Sequence, residues 1–540
     1  MPAAARHGRL VDAAAAAFAV AGLAGVVANA VWLTRPGPGP FVQPHFLGLW
    51  LATLTLFYGA QIAWQQHGPA PPPTRRRQVA LASQYAVLVL VALLLVVGCG
   101  VGYRLDGVGW SLALLACLAV NMALAWPAHR EPAAGALLKA DSAQAPLLPD
   151  AAAVAVNDGE GEPAAALGGA GLPRWARALR TANACLLGAA FVCLALLLGG
   201  CWTQAAGYRA YPPRGAFYAV PADGGCTVEV LAYCTGPRNA SLPTFFFDVG
   251  GGGHSSSDLY GLQFALNDLG RRVCTYDYPG CGWSGYAVSA AQPPLVGAIA
   301  AALGEPGPFI LVGTMDGGPE RIYRYALAHP EDVAALVPID YGPPEFPTYQ
   351  QARNLSDAAA RAYAEQQLRG RLAFGEFIAA VGVQWGLIGL FAPPRPTYVP
   401  AELAGEQAFL NAHNEKQWAT QVYHLAAQVA DLSLAFAPSP YTSDRSLDPA
   451  IPVFNLFNRR NHTAACEAWG YPPSSADCAA LGVELALAYE FAVATTTITP
   501  GSELVVCDDC SGFLSGDGNL AWAVDNIMRL VGHITVPPSA

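Results

Sequence analysis

Apolar positions are spread unevenly along this chain, and the two parts follow different periods. Residues 1–204 carry five apolar runs of roughly 20 residues, at about 13–33, 46–64, 79–103, 108–126 and 181–202. A helical run of that length crosses a bilayer. Beyond residue 204 the runs shorten. "TFFFDV", "RRVCTYD", "PFILVG", "VAALVPID", "IPVFNLF" and "SELVVC" are compact apolar stretches separated by longer helical patterns. Strands of that kind alternating with helices predict a mostly parallel β-sheet covered on both faces. A mostly helical insert is expected at about 341–449. The expected architecture is therefore an α-helical transmembrane bundle, 1–204, followed by an α/β domain, 205–540.

Composition supports the division. The chain is 53% hydrophobic and only 13% charged, whereas about a quarter of an average soluble domain is charged. Basic residues set an orientation. Arg6 and Arg9 precede the first run, Arg75, Arg76 and Arg77 separate the second and third, and Arg130, Lys139, Arg174, Arg177 and Arg180 separate the fourth and fifth. The remaining two loops hold Arg35 and Arg104 alone. The positive-inside rule then places the N-terminus in the cytoplasm and the α/β domain in the lumen or outside the cell. The first run also fits a cleaved signal peptide ending near Ala28-Asn29-Ala30, although its length favours a retained helix. The stretch 127–173, rich in alanine, glycine and proline, reads as a disordered cytoplasmic loop. Polar residues such as Gln61, Gln84, Asn121 and Asn183 are few within the runs, with no acid or base in mid-span. Ion and proton pathways need such groups, so the bundle reads as an anchor in lipid rather than a transporter.

From residue 205 onward 17 basic residues face 31 acidic ones, which excludes nucleic acid as a natural partner. Cysteines agree with an oxidising compartment. Five fall in the apolar runs, and the other eight are Cys226, Cys234, Cys274, Cys281, Cys466, Cys478, Cys507 and Cys510. Eight cysteines allow 105 pairings. Cys466 with Cys478 and Cys226 with Cys234 are reasonable pairs, the latter across an expected hairpin. Cys507-Asp508-Asp509-Cys510 reads as a structural disulfide site, within the pair or to other cysteines, because a catalytic C-x-x-C sits at a helix N-terminus in a thioredoxin-like setting. Asn239, Asn354 and Asn461 each open an N-x-S/T acceptor for glycosylation.

Four segments carry chemistry-bearing motifs in one order. "DVGGGGHSSSD" places Gly250, Gly251, Gly252, Gly253 and His254 after a strand. "RVCTYDYPGCGWS" forms a glycine turn. "PFILVGTMDGGPERIYRYALAHP" is a strand, a sharp turn at Gly313-Thr314-Met315-Asp316-Gly317, and a helix. "IPVFNLFNRRN" and "ELVVCDDCSGFL" are late strands with their loops. Over about 217–531 the chain resembles an α/β-hydrolase of the esterase, lipase and epoxide-hydrolase type. The resemblance implies a nucleophile at Met315, an acid near Asn461 and a histidine at Gly512, and none of the three residue types can serve. Serine-hydrolase chemistry needs all three roles filled, so the expectation is a domain that has lost catalysis. The glycine loop and the helix N-terminus still offer backbone N–H groups to a carbonyl or anion. Equally, glycine persists there because the turn demands it. Met315 either lines an apolar pocket or plugs it. The expected partners are a small apolar or lipid-like ligand or a protein, with no cofactor and no metal.

The alternative is an active hydrolase with Asp316 as nucleophile, since some branches of the family use aspartate there. An acid in a first helical turn also simply complements the helix dipole. A base would have to come from elsewhere. His254, His329, His462 and His533 lie outside the insert, and His413 and His424 lie within it, where a cap folds over the pocket.

Overall fold

The computed structural model describes residues 174–221, 227–249, 255–285, 294–314, 317–388, 399–443, 446–508, 510 and 519–535, with scattered residues before 174. The chain divides into two compact units, 1–30 with 47–199, and 31–46 with 200–540. In the first unit helical residues 50–58 and 114–119 are described. Asn121, a polar residue in an apolar run, is satisfied by donating Nδ2 to Tyr58 O (3.0 Å) and Cys117 O (2.9 Å). The expected spans at 13–33, 79–103 and 108–126, and the loop 127–173, lie largely or wholly outside the described residues, and the span at 46–64 is described at 50–58 and 61. Helix α1, Arg174–Ala210, covers the fifth.

Among the described residues two helices are long and apolar enough to cross a membrane, Leu187–Ala210 and Ala476–Thr496. The second was not among the expected spans. It packs on the sheet of the second unit, against its last two strands. Among the described residues the fifth expected span alone forms a helix of spanning length, so the five-helix bundle is not confirmed.

The second unit is built on an eight-stranded sheet. Its strands are β1 (Ala216–Pro221), β2 (Thr227–Thr235), β3 (Thr244–Val249), β4 (Val273–Tyr276), β5 (Phe309–Thr314), β6 (Val333–Ile339), β7 (Phe454–Asn458) and β8 (Glu503–Cys507). They lie in the order β1-β2-β4-β3-β5-β6-β7-β8. β1, β2 and β4 pair antiparallel, and every pairing from β4 through β3 to β8 is parallel. The helices are α2 (Tyr260–Asp268), α3 (Val296–Leu303), α4 (Gly318–Ala328), α5 (Glu345–Ala352), α6 (Asp357–Phe377), α7 (Ala401–His413), α8 (Glu415–Ala430), α9 (Pro440–Ser443), α10 (His462–Ala468), α11 (Ala476–Thr496) and α12 (Leu520–Val531). This is an α/β-hydrolase-like fold with a mostly parallel sheet. Helices α5–α9 form the expected cap between β6 and β7.

Side-chain alternation along the central strands builds a core on each face. Phe246, Cys274, Phe309 and Leu311 point to one face, where Val296, Ile299, Ile322 and Phe491 meet them. Phe245, Phe247, Ile310 and Val312 point to the other, onto Leu262, Leu266, Val524 and Ile527. Because both faces are covered, the strands are apolar at nearly every position. Side chains start several helices. Ser356 accepts from Ala359 N at α6 and Ser475 from Cys478 N at α11, each satisfying an orphan N–H of the first turn.

Among the described residues three disulfides are formed, Cys234–Cys274, Cys466–Cys478 and Cys507–Cys510. The second is the expected pair, and the third closes within the C-x-x-C. The expected pairing of Cys234 with Cys226 is overturned. Cys234 stands directly opposite Cys274 in the β2–β4 register, and strand adjacency outranks closeness in sequence. Cys226 itself lies outside the described residues. Cys281, expected among the disulfide cysteines, is buried and takes no part in these three bonds.

Candidate functional site

In a parallel α/β sheet a ligand binds beyond the carboxyl ends of the strands. Here those ends are Val249, Thr314, Ile339, Asn458 and Cys507. The elbow between β5 and α4 is made possible by two glycines. A Cβ on Gly313 would sit 2.6 Å from Pro319 N, so strand and helix backbones meet in contact. Gly317 has φ +91°, the left-handed region glycine tolerates. Met315 and Asp316, at the tip, lie outside the described residues, as do Gly250–Gly253, His254 and Gly512. Thr314 Oγ1, just before the tip, is buried without a hydrogen-bond partner among the described residues.

Beneath this edge lies a buried ion pair. Asp248, the penultimate residue of β3, and Arg321, from α4, are 0% and 1% exposed. Arg321 Nε donates to Asp248 Oδ1 at 3.0 Å, and its Nη2 donates to Val249 O at 2.6 Å. Tyr276 Oη donates to the other carboxylate oxygen at 2.6 Å. The guanidinium also lies 4.2 Å from the centre of the Tyr278 ring. Burial works against the arginine's charge, but the field and hydrogen bonds of Asp248 outweigh it and raise its pKa. Burial, then the Asp248 charge, keeps Tyr276 protonated. Arg321 therefore holds the backbone at the entry to the Gly250–Gly253 loop.

A second buried carboxylate organises the turn after β4. Asp277 Oδ1 accepts from Ser256 N (2.8 Å) and Ser256 Oγ (2.7 Å), and Oδ2 accepts from Trp283 N (2.7 Å). One aspartate thus pins the segment after the glycine loop to the turn at 281–284. Gly282, at φ +49°, has no room for a Cβ, which would fall 2.1 Å from Asp277 Oδ2. Burial raises the Asp277 pKa, and its hydrogen bonds oppose the rise.

The cap is fastened to this turn. From α8 and its N-cap, Asn414 Nδ2 donates to Gly282 O, Thr420 Oγ1 to Gly280 O, and Lys416 Nζ to Trp283 O and Ser284 O. Burial pushes the Lys416 ammonium down to about 8. From α7, Asn411 Nδ2 donates to Asp258 at 2.8 Å, and Glu406 accepts from Arg214 Nε and Tyr260 Oη. At the other side of the elbow, Tyr341 Oη bonds to Ser439 Oγ (2.7 Å) and Tyr441 Oη donates to Pro319 O (3.1 Å).

The same helix α8 carries His424 to the neighbourhood of Arg321. The ring is half-buried. Burial, then the Arg321 charge, pushes its pKa down to about 4, so it is neutral near pH 7. His329 and His462 lie elsewhere. His329 pairs loosely with Glu331 at 3.8 Å, and His462 Nε2 contacts Cys478 O at 2.7 Å.

The expected acid position is described in full. Asn461 is the N-cap of α10, its side-chain oxygen accepting from Ala464 N at 3.2 Å. Beside it Arg459 N donates to Cys507 O, and Arg459 Nε lies 2.6 Å from Asp508 Oδ1. The loops that follow β7 and β8, which in the resembled family carry acid and histidine, are here joined by this pair and closed by Cys507–Cys510. Asp248, Arg321 and Asp277 were not singled out from sequence. The available signal was a charged residue inside an otherwise apolar element, which folding tolerates only when paired.

No protein-family model matches the chain, and no curated protein matches it either. Solved structures do. A thermophilic esterase from Thermogutta terrifontis is 16% identical over 58% of this chain and 98% of its own, with a TM-score of 0.37. The Cif epoxide hydrolase from Acinetobacter nosocomialis is 15% identical over 61% of this chain and 95% of its own, at 0.39. The epoxide hydrolase VrEH1 from Vigna radiata is 15% identical over 59% and 98%, at 0.36. The fold is read from strand order and register rather than from these scores.

Proposed function

We propose that this chain is a multi-pass membrane protein whose α/β-hydrolase-like domain lies on the lumenal or extracellular side. Beneath its helical cap the domain binds a small apolar ligand, or engages a protein partner, without triad catalysis. The observation that carries the reading is the use made of the acid position, where the Asn461 carboxamide caps a helix. The sequence adds Met315 and Gly512 where nucleophile and histidine belong. Asn239, Asn354 and Asn461 are all exposed, as glycan acceptors on an exoplasmic domain would be. Three disulfides suit the same compartment.

One observation favours a second reading, an active hydrolase. His424 is neutral, half-buried and within the field of Arg321, and on this reading it would be the base supplied by the cap, with Asp316 the nucleophile. Ester and epoxide hydrolysis are what the names of the similar solved proteins state.

Assays of the full chain in detergent against esters, epoxides and haloalkanes, beside Asp316→Asn and His424→Ala, separate the two. Binding without catalysis predicts no turnover and a lipid-like molecule retained through purification. Turnover abolished by Asp316→Asn would replace that reading with the second.

A further inference from the structure

The last turns of α1, from Gly200 onward, belong to the second unit. One face of them is buried. Gly200, Gln204 and Gly207, with Tyr208 and Tyr211 half-buried beyond them, follow the three- and four-residue spacing of a single helix face. Trp202, Thr203, Ala206 and Arg209, on the other side, are exposed.

The buried face meets the cap at two places. The first is the turn at 383–386. A Cβ on Gly200 would collide with Gln384 O, so the two backbones touch, and Gln204 Nε2 donates to Val383 O at 3.5 Å. The second is α7. A Cβ on Gly207 would collide with the Phe409 ring. That ring lies 5.2 Å, edge-on, from Tyr208 and 5.9 Å from Tyr211. Just past the helix Arg214 Nε donates to Glu406 at 2.8 Å, and the Glu406 side chain is 2% exposed. A carboxylate so deeply buried requires a counter-ion.

The far end of the segment is fixed to the sheet. β1 begins at Ala216, just after Arg214, and pairs along its length with β2. Pro212 and Pro213 stiffen the connection. Tyr208 also packs edge-on, at 5.2 Å, against Trp283, in the turn pinned by Asp277. The cap is thus held in two ways. α8 and its N-cap bond to the turn at 280–284, whereas α7 is held by α1 as well as by Asp258 and Tyr260. The α1 contacts are a few rings and one ion pair whose arginine is 40% exposed. They can part while the two-sided core of the sheet stays closed.

We propose that the end of α1, from Gly200 to Arg214, is a strap on the cap, and that α7 must leave this strap for the cap to open. The strap acts alike whether the domain only binds its ligand or hydrolyses it.

The test is hydrogen–deuterium exchange on the full chain in detergent. Gly207→Leu drives a side chain into the place of the Phe409 ring while improving helix propensity. Ala206→Leu, on the exposed side of the same turn, is its control. Arg214→Met removes the counter-ion of Glu406 without altering the helix. Gly207→Leu and Arg214→Met are each expected to lower the protection of α7 amides about tenfold, as loss of ring contacts or of a partly buried ion pair implies. β5 and β6 keep their protection, and Ala206→Leu matches the wild type throughout. Unchanged α7 protection in both strap variants would overturn the strap. So would an equal loss in Ala206→Leu. A loss that reaches β5 and β6 to the same extent in both variants also overturns it, because the end of α1 would then belong to the sheet's own cooperative unit.

Discussion

Arg321 and Asp248 form an ion pair that is closed to solvent on every side and sits directly under the elbow. Each is the other's counter-ion, and Val249 O and Tyr276 Oη also bond to the pair. Removing one partner of such a pair strands a buried charge, at a cost of about 3–5 kcal/mol. Arg321→Met should therefore lower the thermal midpoint sharply in a detergent-solubilised melt. Arg321→Met combined with Asp248→Asn should recover much of the loss. A double variant no better than the single would show that the charge is not what matters.

His424 predicts an acid-side stability slope. Its folded pKa, about 4, lies below the ordinary imidazole value of about 6.5. Between those values the unfolded chain binds the proton and the folded chain does not, so stability is full above about pH 6.5 and falls as pH drops toward 4. The contribution is at most about 3 kcal/mol. His424→Leu should flatten this part of the pH–stability curve, measured from pH 4 to 8. An unchanged slope would mean that the ring is not desolvated.

Cysteine chemistry offers a direct map. Non-reducing peptide mapping should recover Cys234–Cys274, Cys466–Cys478 and Cys507–Cys510. On chain entropy the 40-residue separation of the first is worth about 4 kcal/mol and the 12-residue separation of the second about 3. Cys234→Ala with Cys274→Ala should accordingly destabilise more than the matching double change at 466 and 478. The reverse order would point to native packing around Cys466 rather than loop length.

At the former acid position, Asn461→Ala should cost about 1 kcal/mol through loss of the cap. Asn461→Asp restores a carboxylate while keeping an N-cap oxygen, and should leave stability nearly unchanged. Under the binding reading it also generates no esterase activity. Turnover appearing in Asn461→Asp would mean that nucleophile and base are still in place.

The parallel part of the fold is legible in the sequence because strands buried on both faces must be apolar throughout, as "TFFFDV" and "PFILVG" are. β1 and the start of β2 alternate buried with exposed positions at the sheet edge, and only a hairpin could be anticipated there. The Cys234–Cys274 bond was illegible for a related reason. Their opposition follows from β4 lying between β2 and β3, a property of strand order and not of spacing. Asp248, Asp277 and Arg321 look ordinary in sequence, and their importance comes from burial that only the packed structure supplies. His424 was visible as a residue of the insert, but its approach to Arg321 depends on how α8 is fastened to the turn at 280–284. The elbow tip, glycine loop and Gly512, on which the sequence argument about catalysis rests, fall outside the described residues.

The fastening of the cap also dictates an order of events in folding. Asn414, Lys416 and Thr420 bind carbonyls at 280–284 that have no fixed position until Asp277 has closed its turn, and Asp277 has none until β4 has found β2 and β3. If the cap docks after the rate-limiting barrier, these contacts have low φ-values. Asn414→Ala is thus expected to speed unfolding while leaving the refolding rate where it was. The cap, which on the reading proposed above admits the ligand, is then also the part that can open and close while the sheet stays folded.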